Sequence, residues 1–358
     1  MLSYLEVIAR QCGVASRDQL AHAGLSRRGL ERAIATGLLQ RRGPRLVIDP
    51  HWSSEGDQRA ELRHRLFAAL CECAPRQRAT ALVFRRSAAA LWGLDGLAGP
   101  AALAGPAALA GPAALAGPAA LTASAVPAEI AVTRGDTVSG SVFRVRPVAP
   151  ADRAEVEGLP VTSPVRTLVD IGQVVEADML ERALESALRK RLATMDELLS
   201  ALDAAPRLRG TGALRSLLTG RPPGLPPTES DAETLFVQLA RRAGFPAPLR
   251  QFTIPTAEGN FRVDFAWPSI RIAIEIDGAA VHASAGALAR DLRRQNAIVL
   301  ALASAGWVLL RFSWYDLVAE PYVSQTCAKL REAWSIAGSR PLVAPAGSRV
   351  ADFARHNG

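Results

Sequence analysis

The clearest alternation of apolar and polar positions in the chain lies between residues 261 and 277. Val263 and Phe265, then Ile272, Ile274 and Ile276, are each separated by one residue, the two-residue period of half-buried strands. The pattern predicts strands over Phe261–Trp267 and Arg271–Asp277, joined at Pro268-Ser269. A connection of two or four residues sets Asp264 across from Ala273 and diagonal to Glu275, with Asp277 beside them. The carboxylates then gather on one face of a hairpin whose other face is apolar. A connection of odd length would flip the register and break the cluster. Around this hairpin the periodicity predicts a helix over 231–243, a strand over 249–255, a helix over 286–304, a strand over 307–313 and a helix over 321–337. Residues 228–338 thus read as an α-β-β-β-α-β domain, with a loose tail over 339–358.

The first fifty residues have the rhythm of short helices. Leu2–Arg10 reads as a first helix. Ser16 and Gln19 have the spacing of a capping box that opens a second, ending near Ala23-Gly24. Ser26 caps a third, Arg27–Thr36, closed by Gly37. Leu38–Arg42 and Arg45–Ile48 flank Gly43-Pro44 as a hairpin, so residues 1–50 read as a winged helix-turn-helix.

Residues 51–220 read as a mixed α+β region. It holds a helix near Gln58–Cys73, an apolar stretch over Thr80–Leu94, strands over Glu129–Thr133 and Ser141–Arg146 joined by Arg134-Gly-Asp136, and an amphipathic helix over Glu176–Lys190. Thr194 and Glu197 form another capping box. Thr162 or Ser163 caps a helix with Pro164 in its first turn, on which Arg166 and Asp170 stand four apart and can pair. Residues 97–120 are perfect copies of Leu-Ala-Gly-Pro-Ala-Ala. A proline in every copy removes helix hydrogen bonds, and the segment reads as a flexible insertion without chemistry. Residues 221–227, Arg-Pro-Pro-Gly-Leu-Pro-Pro, read as a linker. The fold class expected is α/β in the broad sense, an α+β multidomain chain.

Composition narrows the function. The 358 residues are 49% hydrophobic, enough to bury cores, and no unbroken apolar run of about 18 residues suggests a membrane span. The first residues lack the basic-then-apolar order of a signal peptide. The four cysteines have no zinc spacing. A cytoplasmic protein without disulfides or zinc is expected. The net charge is +8, and it concentrates near the start: Arg27, Arg28, Arg32, Arg41, Arg42 and Arg45 stand against the single acid Glu31. They fall on the third helix and the hairpin, where DNA phosphates and base edges would lie. The alternative is a helical protein-interaction domain with a solvated basic face.

Asp264, Glu275 and Asp277 need a cation, since clustered carboxylates repel one another and resist burial. It is either Mg²⁺ (or Mn²⁺), whose bound water is a nucleophile for phosphodiesters, or an arginine among Arg262, Arg271 and Arg311. His282, just past the second strand, could move a proton or polarise a phosphate. On helix 286–304, Arg290 and Arg294 share a face, and with Asn296 they could meet a phosphodiester or simply be solvated.

These residues resemble a known group. Asp264, ten intervening residues, then Glu275-Ile-Asp277-Gly is similar to the PD-(D/E)xK nuclease pattern, and in particular to the very-short-patch-repair-like endonuclease branch with its E-x-D-G…H. The likeness runs from Thr228 to about Trp334. It implies a restriction-endonuclease-like fold, with Glu233, Asp264 and Glu275 as metal-binding acids and His282 as a catalytic histidine. Asp277 stands where the general pattern has lysine, and the chain has only Lys190 and Lys329. Glu233 also fits a capping box with Ser230. The N-terminal segment resembles the AbiE-type antitoxins in its G-V-x-S-R-x-Q-L helix, its G-L-S turn and its basic wing, with Arg42-Gly-Pro-Arg-Leu-Val in place of their usual ending. That likeness implies a DNA-binding regulator, with a toxin protein or a second copy of the chain as partner. Two expectations follow: a DNA-binding, metal-dependent endonuclease, or an inactive antitoxin-like regulator that keeps the nuclease fold as a surface.

Overall fold

The computed structural model describes residues 3–97, 126–133, 142–257, 259–277 and 285–338, and of residues 285–294 the backbone alone. Most of the repeat insertion, the Arg134-Gly-Asp136 connection, His282, the side chains of Arg290 and Arg294 and the 339–358 tail lie outside the described residues. The architecture is mixed α/β, with three sheets among the described residues. The chain divides into two compact units, Met1–Thr234 and Leu235–Gly358.

The first unit opens with α1 (Tyr4–Arg10), β1 (Val14–Ser16), α2 (Arg17–His22), α3 (Arg27–Ala35), β2 (Gln40–Arg41) and β3 (Leu46–Ile48). The helix starts follow their caps. Ser16 and Gln19 close a reciprocal capping box, and the Ser26 hydroxyl accepts the Gly29 amide at 3.1 Å. Leu30 and Ala33 turn inward from α3 onto Ile8, Leu20, Leu39 and Val47. The hairpin carries a third strand: β1 pairs with β3 in antiparallel register, Val14 opposite Ile48, giving the order β1-β3-β2.

Next come α4 (Gln58–Glu72), α5 (Pro75–Arg78), β4 (Leu82–Val83), α6 (Arg85–Leu91), β5 (Ile130–Val132), β6 (Val142–Arg144), β7 (Arg153–Val156) and β8 (Leu159–Thr162). The five strands lie in the order β6-β5-β4-β8-β7, and β5 and β6 run parallel. Leu62, Leu66, Phe67 and Leu70 of α4 share one buried cluster with Val14 and Leu46 and with Val83, Ile130 and Val161. The N-terminal strands and the middle sheet therefore fold around a common core.

Helices α7 (Pro164–Ile171), α8 (Ala177–Arg189), α9 (Met195–Ala204) and α10 (Thr211–Thr219) complete this unit around Leu168, Leu180, Leu198 and Leu214. Ser163 is the cap of α7, and Arg166 and Asp170 pair at 3.0 Å. The proline-rich stretch after α10 is tied down. Arg221 forms an ion pair with Glu185, their side chains 8% and 2% exposed. The other Glu185 oxygen accepts the Thr228 amide at 3.0 Å.

Helix α11 (Asp231–Arg242) bridges the boundary between the units. The second unit continues with β9 (Leu249–Thr256), β10 (Gly259–Trp267), β11 (Ile272–Asp277), α12 (Ala285–Ser304), β12 (Val308–Ser313), α13 (Tyr315–Val318) and α14 (Tyr322–Gly338). The sheet order is β12-β11-β10-β9, antiparallel except for the parallel pair β11–β12. Phe236 of α11 is fully buried, its ring 5.0 Å from Phe265 and 6.1 Å from Phe312. Burying a side chain of that size contributes about 1.5–3 kcal/mol, which fixes α11 against the sheet face opposite the acids.

Candidate functional site

The connection between β10 and β11 has four residues, the 3₁₀ turn Pro268–Ile270 and Arg271 in the left-handed region at φ 55°. It pairs Trp267 with Ile272, Ala266 with Ala273 and Phe265 with Ile274. Ala273 thus faces Ala266 rather than Asp264. The shift is by two residues, so the parity of the faces is kept. Continuing the ladder one step sets Asp264 opposite Glu275, closer than the diagonal placement expected from the sequence.

At that step β10 leaves β11, and a side chain replaces the backbone partner. The Ile276 amide donates to Asp264 Oδ2 at 2.8 Å. On the far side, β12 runs parallel to β11 with Arg311 opposite Glu275. Arg311 Nε lies 3.5 Å from Glu275 Oε2, and the same guanidinium bonds Asp277 Oδ1. Glu275 is 22% exposed and Asp277 48%. Asp264, Glu275, Asp277 and Arg311 therefore form one group along β10, β11 and β12. Of the arginines the sequence offered as partners, Arg311 makes ion pairs with two of the acids. Beyond Asp264 the ladder of β9 also carries a strained residue: Gln251 has φ 50° in mid-strand, a conformation that costs of order 1–3 kcal/mol and collects at functional sites.

Glu233 belongs to the first unit. Its carboxylate accepts the Glu229 amide at 2.8 Å and the Ser230 hydroxyl at 3.1 Å, while Ser230 Oγ accepts the Glu233 amide at 3.1 Å. It is 5% exposed. This is the capping arrangement that the Ser230 spacing predicts, a use for Glu233 that needs no metal. Asn296 is exposed on α12.

The donors suit a hard divalent ion. Mg²⁺ asks for one or two protein carboxylates and completes its shell with water and phosphate, and Asp264 with Glu275 meets that minimum. Among the described residues no group of three or more His, Cys, Asp or Glu stands close enough to hold a metal by itself.

The basic residues near the start form a second candidate surface. Arg27, Arg28, Arg32, Arg41 and Arg42 are exposed and Arg45 is half-buried. The first turn of α3 contains no acid. Arg27 and Arg28 therefore sit at the positive end of the helix dipole, and Arg28 and Arg32 repel one another four residues apart. An anion at this face would relieve both costs. Arg41 is committed elsewhere, to Glu31 at 2.8 Å.

The chain matches no family model. It is 29% identical over 171 residues to two uncharacterized proteins of Mycobacterium tuberculosis, MT2308 of strain CDC 1551 and Rv2248 of strain H37Rv. The match covers 46% of this chain and 59% of each relative, so it spans less than two thirds of their length. Among the described residues no helix is long and apolar enough to cross a membrane.

Proposed function

We propose that this chain is a DNA-binding protein whose second unit is a Mg²⁺-dependent endonuclease of restriction-endonuclease-like fold. The observation that carries the reading is the group in which Asp264 accepts the Ile276 amide, one residue from Glu275, while Glu275 stands opposite Arg311 on the parallel ladder and pairs with it. The element order α11-β9-β10-β11-α12-β12 supports it. The order α1-β1-α2-α3-β2-β3 is in turn what a winged helix would have, with α3 as recognition helix and β2–β3 as wing. Asp264 and Glu275 would hold Mg²⁺ or Mn²⁺, which when bound supplies an activated water and neutralises phosphate charge. Arg311, paired with Glu275 and Asp277, would offer a guanidinium to the approaching phosphate. The likeness to the nuclease group would give His282 proton transfer, and Arg290 and Arg294, spaced on one helix face, would meet the phosphodiester.

The second reading is a cytoplasmic antitoxin-like regulator without catalysis, acting with a toxin protein or as a homodimer. The pairing of Arg311 with two of the three acids favours it, because a cation of the chain's own already offsets part of their charge. One assay separates the two. Cleavage of plasmid, single-stranded and mismatched DNA is measured with Mg²⁺ and with Mn²⁺ for the wild type, Asp264→Ala and Glu275→Ala. Cleavage that both variants lose supports the nuclease. Absence of cleavage, together with salt-sensitive DNA binding that survives both substitutions, sinks it and leaves the regulator.

A further inference from the structure

A cavity of about 790 Å³ opens in the first unit where α6, β6, α7 and the connection after α9 meet. That volume falls in the roughly 300–1,000 Å³ range of small-molecule sites. Six arginines line it: Arg85, Arg144, Arg146, Arg166, Arg207 and Arg209. The one acid in the lining, Asp170, is paired with Arg166 at 3.0 Å, and Arg166 also reaches Asp152 at 3.3 Å. Among the described residues no carboxylate pairs with the other five arginines.

The charge is built into the fold. The Arg85 guanidinium is held 4.7 Å from the Phe84 ring centre and 4.9 Å from that of Phe143, with a hydrogen bond to Gln173 Oε1 at 3.3 Å. Its backbone is strained, at φ 53°. Four segments distant in sequence are brought together to place like charges around one space. Such an arrangement is repulsive unless an anion of several charges enters it.

Apart from Gln173, the remaining wall is apolar, with Phe84, Val145, Pro206 and Leu208. A bare polyphosphate would leave that wall unused, and an uncharged base would leave the arginines unused. A nucleic-acid strand asks for a groove that tracks its backbone over several nucleotides, whereas the six arginines converge on one space. We propose that this cavity is a nucleotide site: the arginines take the phosphates and the apolar wall takes the base. The site is independent of the carboxylate group and of the basic face of α3, and does not rest on the nuclease reading.

The test is equilibrium binding of ATP, GTP, CTP and UTP to the full chain, with adenosine, tripolyphosphate and a short single-stranded oligodeoxythymidylate as comparators. At least one nucleotide is expected to bind more tightly than tripolyphosphate, and adenosine is expected not to bind. The exposed pairs Arg144→Gln/Arg146→Gln and Arg207→Gln/Arg209→Gln should each weaken nucleotide binding roughly tenfold or more with thermal unfolding unchanged. Arg27→Gln/Arg28→Gln/Arg32→Gln should leave it as it is. The proposal is overturned if no nucleotide binds, if tripolyphosphate binds as tightly as the best nucleotide, or if both arginine-pair variants bind nucleotide like the wild type. Oligonucleotide binding that the pair variants lose, with no nucleotide bound, would instead identify a strand-binding groove.

Discussion

Asp264 has a structural task in the fold and, under the proposed function, a metal-holding one, and two substitutions tell them apart. As a structural group it accepts the Ile276 amide at 2.8 Å where the backbone ladder between β10 and β11 ends. Ile276 is 8% exposed, so water does not readily replace that acceptor. Asp264→Ala leaves a buried amide unpaired, which costs about 1–3 kcal/mol. Asp264→Asn keeps an oxygen at the same place and loses only the charge, a difference of about 1 kcal/mol. As a metal-holding carboxylate the residue would have no such substitute, because an amide oxygen lacks the charge that neutralises an ion. Asp264→Asn should therefore unfold in urea close to the wild type yet cleave DNA about a hundredfold more slowly or worse, whereas Asp264→Ala should lose both. Cleavage by Asp264→Asn at the wild-type rate would refute the catalytic assignment and leave Asp264 as a strand cap. An unchanged urea midpoint for Asp264→Ala would refute the cap, meaning that the ladder closes by itself through the Val263 carbonyl.

Three further outcomes are expected. Replacing Arg27, Arg28 and Arg32 together by Gln should lower the slope of log K against log salt for duplex DNA by about 2.7, at about 0.9 per phosphate contact. Arg41→Gln should lower it by less than one contact, since Arg41 is held by Glu31; equal slopes for wild type and triple variant would remove α3 from the interface. Arg221→Ala breaks an ion pair whose partners are 8% and 2% exposed and should cost about 3–5 kcal/mol in urea unfolding, whereas a loss under about 1 kcal/mol would mean that residues 221–227 are not anchored. Burial raises the carboxyl pKa of Asp170 above the ordinary range, against the lowering pull of Arg166. Its folded form then holds the proton more tightly than the unfolded chain, so its contribution to stability is present at low pH and is lost as pH rises through the folded pKa. Asp170→Asn should flatten that part of the curve, seen as a smaller loss of urea midpoint than the wild type shows as pH rises above the ordinary carboxyl range; an identical loss would refute it.

The elements that were legible in the sequence are those set by local chemistry. Ser16, Ser26 and Thr194 start helices because their hydroxyls satisfy amides three residues on. The alternation from Val263 to Ile276 gives two strands, although near the turn both faces are buried, by Ala266 and Ala273 as well as by Phe265 and Ile274. What escaped was set by distant partners or by segments too short to show a period. Val14–Ser16 is a strand of three fully buried residues, with no alternation to read. The β7–β8 hairpin turns on Glu157 and Gly158, both at positive φ, a turn usually written with Asn or Asp before the Gly. Residues 221–227 have the composition of a linker, and the contacts that hold Arg221, to Glu185 on α8 and to the Leu225 carbonyl, are not announced by that composition. At the candidate site the acids were visible, but the exact register was not. The parallel pairing that brings Arg311 to Glu275 joins residues 36 positions apart by number, and nothing local announces it.

That pairing changes how the departure at Asp277 should be weighed. Along the strand alone, an aspartate in place of lysine reverses the charge at the position that would steady the scissile phosphate. Across the sheet, the same aspartate turns to a guanidinium from β12, which also reaches Glu275. A cation is thus present in the group, moved by one strand. Counting these four side chains, three carboxylates against one guanidinium leave two negative charges, the charge a divalent ion would balance. An arginine is also better suited than a lysine to hold two carboxylates at once, because its planar fork donates in two directions without losing its proton. The departure from the nuclease pattern therefore argues less strongly for a dead site than the sequence alone suggests. Under the proposed nuclease reading, Arg311 would open its fork from Glu275 and Asp277 toward the phosphate, giving up the ion pairs that hold it here.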